Sequence, residues 1–187
     1  MSKLQEAIYY AADAHRSQVR KHSALDYFEY HSLILFSRVL QDPVHGGEEA
    51  GLIMLCHDVV EDCSENDSDE ARAIHYREIQ VRFGLAVYRG VHDLTDEYTK
   101  KRHPKLNRRQ RKDKERKRLA KTPARSQLLK LYDREINLED SIRDGACNLN
   151  YARESWQLAS ALSNIENAYQ ACRVFTLAMQ LQEMCHA

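Results

Sequence analysis

The sequence predicts an all-α fold, and three observations predict it. Six glycines and three prolines in 187 residues leave long stretches without a helix breaker. Apolar residues recur at helical spacing in one segment after another, and no segment alternates convincingly as a half-buried strand would. No internal repeat divides the chain. Its length suggests a single domain over 1–187, large enough to bury a core without staples.

The elements follow in order. Leu4, Ala7, Ile8, Ala11, Ala12 and His15 keep helical spacing and predict a helix over 3–20. Leu33, Leu35, Phe36, Val39 and Leu40 predict a second over 31–41, and Pro43 with Gly46-Gly47 marks the loop after it. A third helix covers 48–62, apolar from Ala50 to Leu55. The polar, acidic stretch CSENDSDE at 63–70 predicts an exposed loop. Helices over 71–82 and 84–95 meet at Phe83-Gly84, and 123–143 and 148–184 supply the rest.

Composition narrows the function classes. Lys+Arg and Asp+Glu are both 28, so net charge indicates no partner. The five cysteines, Cys56, Cys63, Cys147, Cys172 and Cys185, are odd in number and include no C-x-x-C pair. They suggest neither a disulfide framework nor a zinc ribbon, and a reducing cytoplasm fits them best. The N-terminus mixes polar and acidic residues into its apolar ones, unlike a signal peptide. No apolar run approaches the roughly 20 residues that span a membrane. A soluble cytoplasmic protein is expected. Residues 100–125 stand apart as an insertion-like basic segment: 14 of 26 are Lys or Arg, half the chain's total, opposed only by Asp113 and Glu115. Such a run is a solvated helix face or loop, an electrostatic funnel for a polyphosphate, or a nucleic-acid contact. No aromatic residue lies between Lys100 and Arg125, which argues against single-strand recognition.

The sharpest local signal is LCHDVVED, residues 55–62. On a helix His57 and Glu61 share a face one turn apart, as do Asp58 and Asp62. An imidazole beside a carboxylate can hold a divalent cation, and the two further carboxylates can orient or deprotonate an attacking water. The apolar run GLIMLC anchors the segment, and charged groups at its end need partners because buried unpaired charge is costly. An H-D dipeptide by itself carries little weight, and a second one occurs at His92-Asp93.

Context adds weight. AADAHRSQVRK (11–21), His31 ten residues after Lys21, LCHDVVEDC (55–63), RFGLAVYRGVHDLTD (82–96) and LLKLYDREINLED (128–140) occur in one order. In that order they resemble the motifs of the HD-domain hydrolases of the RelA/SpoT group, above all the small stand-alone (p)ppGpp hydrolases. The likeness spans roughly residues 4–160. It implies an HD-domain helical bundle with His31, His57, Asp58 and Asp133 as metal ligands. It implies that Glu61 and Asp62 handle the attacking water, and that Arg20 and Lys21 lie near substrate phosphates. Asn137, one turn after Asp133, would lie by the nucleotide, with Lys130 and Arg134 flanking the site and Arg153 nearby. His92-Asp93 corresponds to no ligand pair, and His15 reads as structural.

The sequence also departs from the family. ALDYFEYH stands where G-x-P-Y-I-x-H is common, with Phe28 at the usual tyrosine position. Ser32 replaces the proline after the first ligand, and Tyr132 replaces a small alanine. These changes touch the pocket edge that selects the base more than the metal ligands.

Two imidazoles and two carboxylates suit Mn²⁺ among divalent ions, with Fe²⁺ or Zn²⁺ as alternatives. The resemblance implies hydrolysis of the 3′-diphosphate of (p)ppGpp to GDP or GTP and pyrophosphate, within the stringent response, and without a synthetase domain. The alternatives are an HD phosphohydrolase for another nucleotide (a dNTP, a nucleoside monophosphate or NADPH) and a non-catalytic alarmone- or RNA-binding module. Neither oligomeric state nor a role for the cysteines is legible.

Overall fold

The computed structural model describes residues 1–186, and among them the fold is helical throughout apart from one isolated bridge between Val19 and Asp26. The chain forms two compact units, Met1–Arg111 and a second that begins at Lys112.

The first unit opens with α1, Lys3–Ala14. Ser2 and Gln5 cap it reciprocally, the Ser2 hydroxyl accepting from the Gln5 amide and the Gln5 side chain from the Ser2 amide. The helix expected to reach residue 20 stops at Ala14, because Ser17 adopts a left-handed backbone with φ 69°. The chain then turns through a small loop closed by Arg20 N–H to Leu25 O and Tyr27 N–H to Gln18 O. One wide π-helical turn, Phe28–Ser32, leads into α2, Leu33–Leu40.

The centre of this unit is α3, Glu48–Cys56, in which every residue from Ala50 to Cys56 is buried. Glu48 and Glu49 lie in its first turn, where the helix dipole favours them. α3 does not continue to residue 62. It breaks at His57-Asp58, and a short α4, Val59–Cys63, follows. The expected 63–70 loop holds one 3₁₀ turn, Glu65–Asp67. Then come α5, Asp69–Phe83, started by the Ser68 hydroxyl accepting from Ala71, and α6, Leu85–Leu94. Gly84 separates them at φ 97°, a backbone that a side chain would strain. α3 and α6 approach closely at Gly90, where an added Cβ would fall 2.4 Å from Ile53 Cδ1.

The basic run is ordered in part as α7, Arg108–Leu119, which Asn107 and Gln110 start by exchanging backbone-to-side-chain bonds of 3.0 and 2.9 Å. The cations of its last turn are matched by neighbouring acids: Arg116 and Lys117 pair with Asp113, and Arg118 with Glu115.

The second unit is built on α8, Ala124–Arg143, α9, Leu149–Leu162, and α10, Ala168–Met184. Asn148 caps α9 by accepting from the Tyr151 amide. Leu131, Leu138, Leu162, Val174 and Leu181 lie at the heart of the apolar core. Within it the fully buried Glu135 accepts from Gln170 and Arg173 of α10, so its charge is compensated. Cys147 and Cys185 form a disulfide that ties the start of α9 to the end of α10. The sequence reading expected no disulfide framework. This single bridge spans 38 residues with no spacing to announce it, and it removes the support that the cysteine count lent to a reducing compartment. Among the described residues no helix is long and apolar enough to cross a membrane.

Gly90→Ala should destabilise the protein by about 1–3 kcal/mol in urea unfolding, because Ile53 is β-branched and cannot easily yield. The usual helix preference for Ala, about 1 kcal/mol, pulls the other way. In an Ile53→Ala background the same substitution should be neutral or stabilising.

Candidate functional site

Three of the residues singled out in the sequence meet in the first unit. His57 ends α3 and Asp58 follows it at the break, while His31 lies in the π-helical turn. Both imidazoles are buried, with ring centroids 5.4 Å apart. Asp58 Oδ2 stands 2.8 Å from His57 Nε2 and 3.2 Å from His31 Nε2. It also accepts from the hydroxyl of Tyr27.

The tautomer of His57 follows from its other nitrogen. Nδ1 lies 2.8 Å from the carbonyl oxygen of Met54, one turn back on α3. A carbonyl only accepts, so Nδ1 carries the proton and Nε2 of the neutral ring presents its lone pair. That lone pair faces an anionic oxygen at 2.8 Å, an arrangement that a shared divalent cation relieves. A backbone carbonyl behind a ligating imidazole is the usual way such a ring is aimed. The donor set therefore fits a borderline divalent ion.

Asp62 donates its amide to Asp58 O at 2.8 Å and keeps the one-turn relation to Asp58. Glu61 accepts from the amide of Asp96 at 3.0 Å. Asp62 is an exposed residue whose carboxyl nevertheless sits among protein groups. Loss of water around it, and next the charge of Asp58, push its carboxyl up to about 6 against the pull of His57, Tyr27 and His31.

Arg20 stacks its guanidinium over Tyr27, 5.3 Å from the ring centroid, which places it one ring away from Asp58. Lys21, next in the same loop, is exposed. His15 is buried with Nδ1 3.0 Å from Gln18 Oε1 and its ring against Tyr27, and burial holds its imidazole below the usual histidine range. His92 packs against Tyr76 and Tyr88 on the α5–α6 pair.

In the second unit Lys130, Asp133 and Asn137 occupy one face of α8. Asp133 is buried, with Oδ2 3.3 Å from Lys130 Nζ and Oδ1 accepting from Asn137 Nδ2 at 2.6 Å. Arg134 turns toward α9, its guanidinium 4.8 Å from the Tyr151 ring centroid and donating to Ser155 Oγ at 3.2 Å. Arg153 is exposed on α9 and takes no part in that contact.

Sequence reasoning missed Tyr27, Asp96 and Tyr151. The signal for Tyr27 was present, one position before the altered family tyrosine. Nothing in the sequence marks a backbone amide such as that of Asp96.

The fold matches that of a metazoan ortholog of SpoT, described as hydrolysing ppGpp and playing a role in starvation responses. The TM-score is 0.71 at 24% sequence identity, over 96% of this chain and 96% of that one. The chain thus shares the all-α fold of that protein. No protein-family model and no curated protein matches it.

Tyr27→Phe removes one donor to Asp58 and leaves the ring contacts in place. It should weaken binding of Mn²⁺ by about 10–100-fold in isothermal titration calorimetry, and Asp58→Ala should abolish it.

Proposed function

We propose that this chain is a metal-dependent phosphohydrolase that removes the 3′-diphosphate of (p)ppGpp, leaving GDP or GTP and pyrophosphate. The observation that carries the reading is the convergence of His31 and His57 on Asp58, with Glu61 and Asp62 on the next turn of chain. The ordered motifs and the fold shared with a protein that hydrolyses ppGpp support the substrate class.

In this reading Asp133 is the fourth ligand, as the resemblance of LLKLYDREINLED to the family motif implies. Its carboxylate is already oriented by Lys130 and Asn137. Mn²⁺, or another divalent ion in its place, supplies Lewis acidity that lowers the pKa of water and neutralises phosphoryl charge. Asp62 accepts the proton of the attacking water, and Glu61, held by the Asp96 amide, aims it. Water oxygen forms the new bond to phosphorus, the bond from phosphorus to the ribose 3′ oxygen breaks, and that oxygen leaves with a proton. Arg20 and Lys21, with exposed cations of the basic run, stabilise the charge on the departing diphosphate. Asn137, Arg134 and Arg153 contribute to the nucleotide side of the site.

Purified protein with Mn²⁺ should release pyrophosphate from ppGpp, and EDTA or Asp58→Ala should stop it. Asp62→Asn should keep the metal and lose about 10²–10⁴-fold in kcat, the usual worth of a general base. Since the base must be deprotonated, turnover falls as pH drops through the value for Asp62. A bound cation lowers that value, so the acid limb lies at or below pH 6. A folded, metal-loaded protein that releases nothing from ppGpp would reject this substrate, and a screen of dNTPs, nucleoside monophosphates and NADPH would follow.

A further inference from the structure

Arg72, on α5, is a buried guanidinium that the sequence motifs do not include. Its Nε donates to Asp67 Oδ1 at 2.6 Å and its Nη2 to the carbonyl oxygen of Asp96 at 2.9 Å. The amide of the same Asp96 donates to Glu61 Oε2 at 3.0 Å. Arg72 and Glu61 therefore grip one residue from its two backbone ends. The chain around that residue is fixed on both sides. Thr95 closes α6 by donating its amide and its hydroxyl to Val91 O, and Thr99 donates its hydroxyl to the second oxygen of Asp67 at 2.6 Å.

We propose that Arg72 is a positioning residue for the hydrolytic reaction: through the backbone of Asp96 it fixes the carboxylate of Glu61. The proposal rests on the reading of Glu61 given above. A carboxylate that aims a nucleophile must be held within a fraction of an ångström, and a fixed backbone amide holds it better than a mobile side chain does. The planar fork of Arg reaches two acceptors at once in fixed geometry, which the single ammonium of Lys cannot reproduce. Glu61 sits in the middle of a helix of only five residues, and the partner that holds its carboxylate, the Asp96 amide, lies outside that helix.

The test is a double-mutant cycle of Arg72→Lys with Glu61→Gln in the full chain, read both as kcat on ppGpp and as Tm. Asp67→Asn replaces Arg72→Lys in a second cycle, since it loosens the grip on Arg72 and leaves the guanidinium in place. Arg72→Lys should lower kcat about 10–100-fold while KM moves less than about 2-fold and bound Mn²⁺ stays the same. In the Glu61→Gln background it should lower kcat no further, and the double variant should lose less in Tm than the two single losses together. Additive losses in kcat would overturn the proposal and leave Arg72 a structural ion pair. Additive losses in Tm would overturn the link through Asp96. If Glu61→Gln turns over normally, the role of Glu61 fails and the proposal with it. If the unmodified chain does not hydrolyse ppGpp at all, the substrate reading fails. The Tm cycle then still decides whether Arg72 holds Glu61.

Discussion

A proton on His57 Nδ1, given to the carbonyl of Met54, sets the geometry of the first unit. With that nitrogen committed, the neutral ring has its lone pair on the other, which faces the same oxygen of Asp58 that faces His31 and Tyr27. The backbone stays in the right-handed helical region at both His57 and Asp58, so the two side chains leave the end of α3 as neighbours, with Asp58 Oδ2 2.8 Å from His57 Nε2. The apolar burial of α3 on every side supplies the rigid post from which His57 is aimed.

Much of this was legible in the sequence. The all-α fold followed from the scarcity of breakers and from helical spacing, and the Phe83-Gly84 junction and the helix over 123–143 fell where the pattern put them, while 148–184 is divided into two helices between Leu162 and Ala168. The structure draws together His31, His57 and Asp58, as their motifs imply. What escaped was backbone geometry. Periodicity cannot see that Ser17 turns left-handed and ends α1 early, or that a continuous apolar run stops being one helix at Asp58. The one-turn relation of Glu61 to His57 was read from an ideal helix, and spacing could not show that Glu61 also accepts from the amide of Asp96. Backbone donors leave no mark on side-chain spacing. The Cys147–Cys185 bridge was hidden for a related reason, since which cysteines meet depends on the packing of α9 against α10.

The basic run shows how composition overstates free charge. Arg102 is taken by Asp69 and Glu97, Arg116 and Lys117 by Asp113, and Arg118 by Glu115. These pairs are mostly at the surface and add little stability each. They do decide where positive potential is left, at exposed residues such as Lys105, Arg109 and Lys121. A small set of exposed cations, rather than the whole run, is what a phosphate-rich ligand would meet.

The wide turn at Phe28–Ser32 carries one more residue than an α-helical turn would need, and His31 sits inside it. Such a turn makes chain length itself a functional variable. Losing Phe28, Glu29 or Tyr30 would let the helix tighten and swing His31 by about 100°, away from Asp58. Insertion and deletion, which surface loops absorb freely, are therefore confined here as strictly as the identity of the histidine.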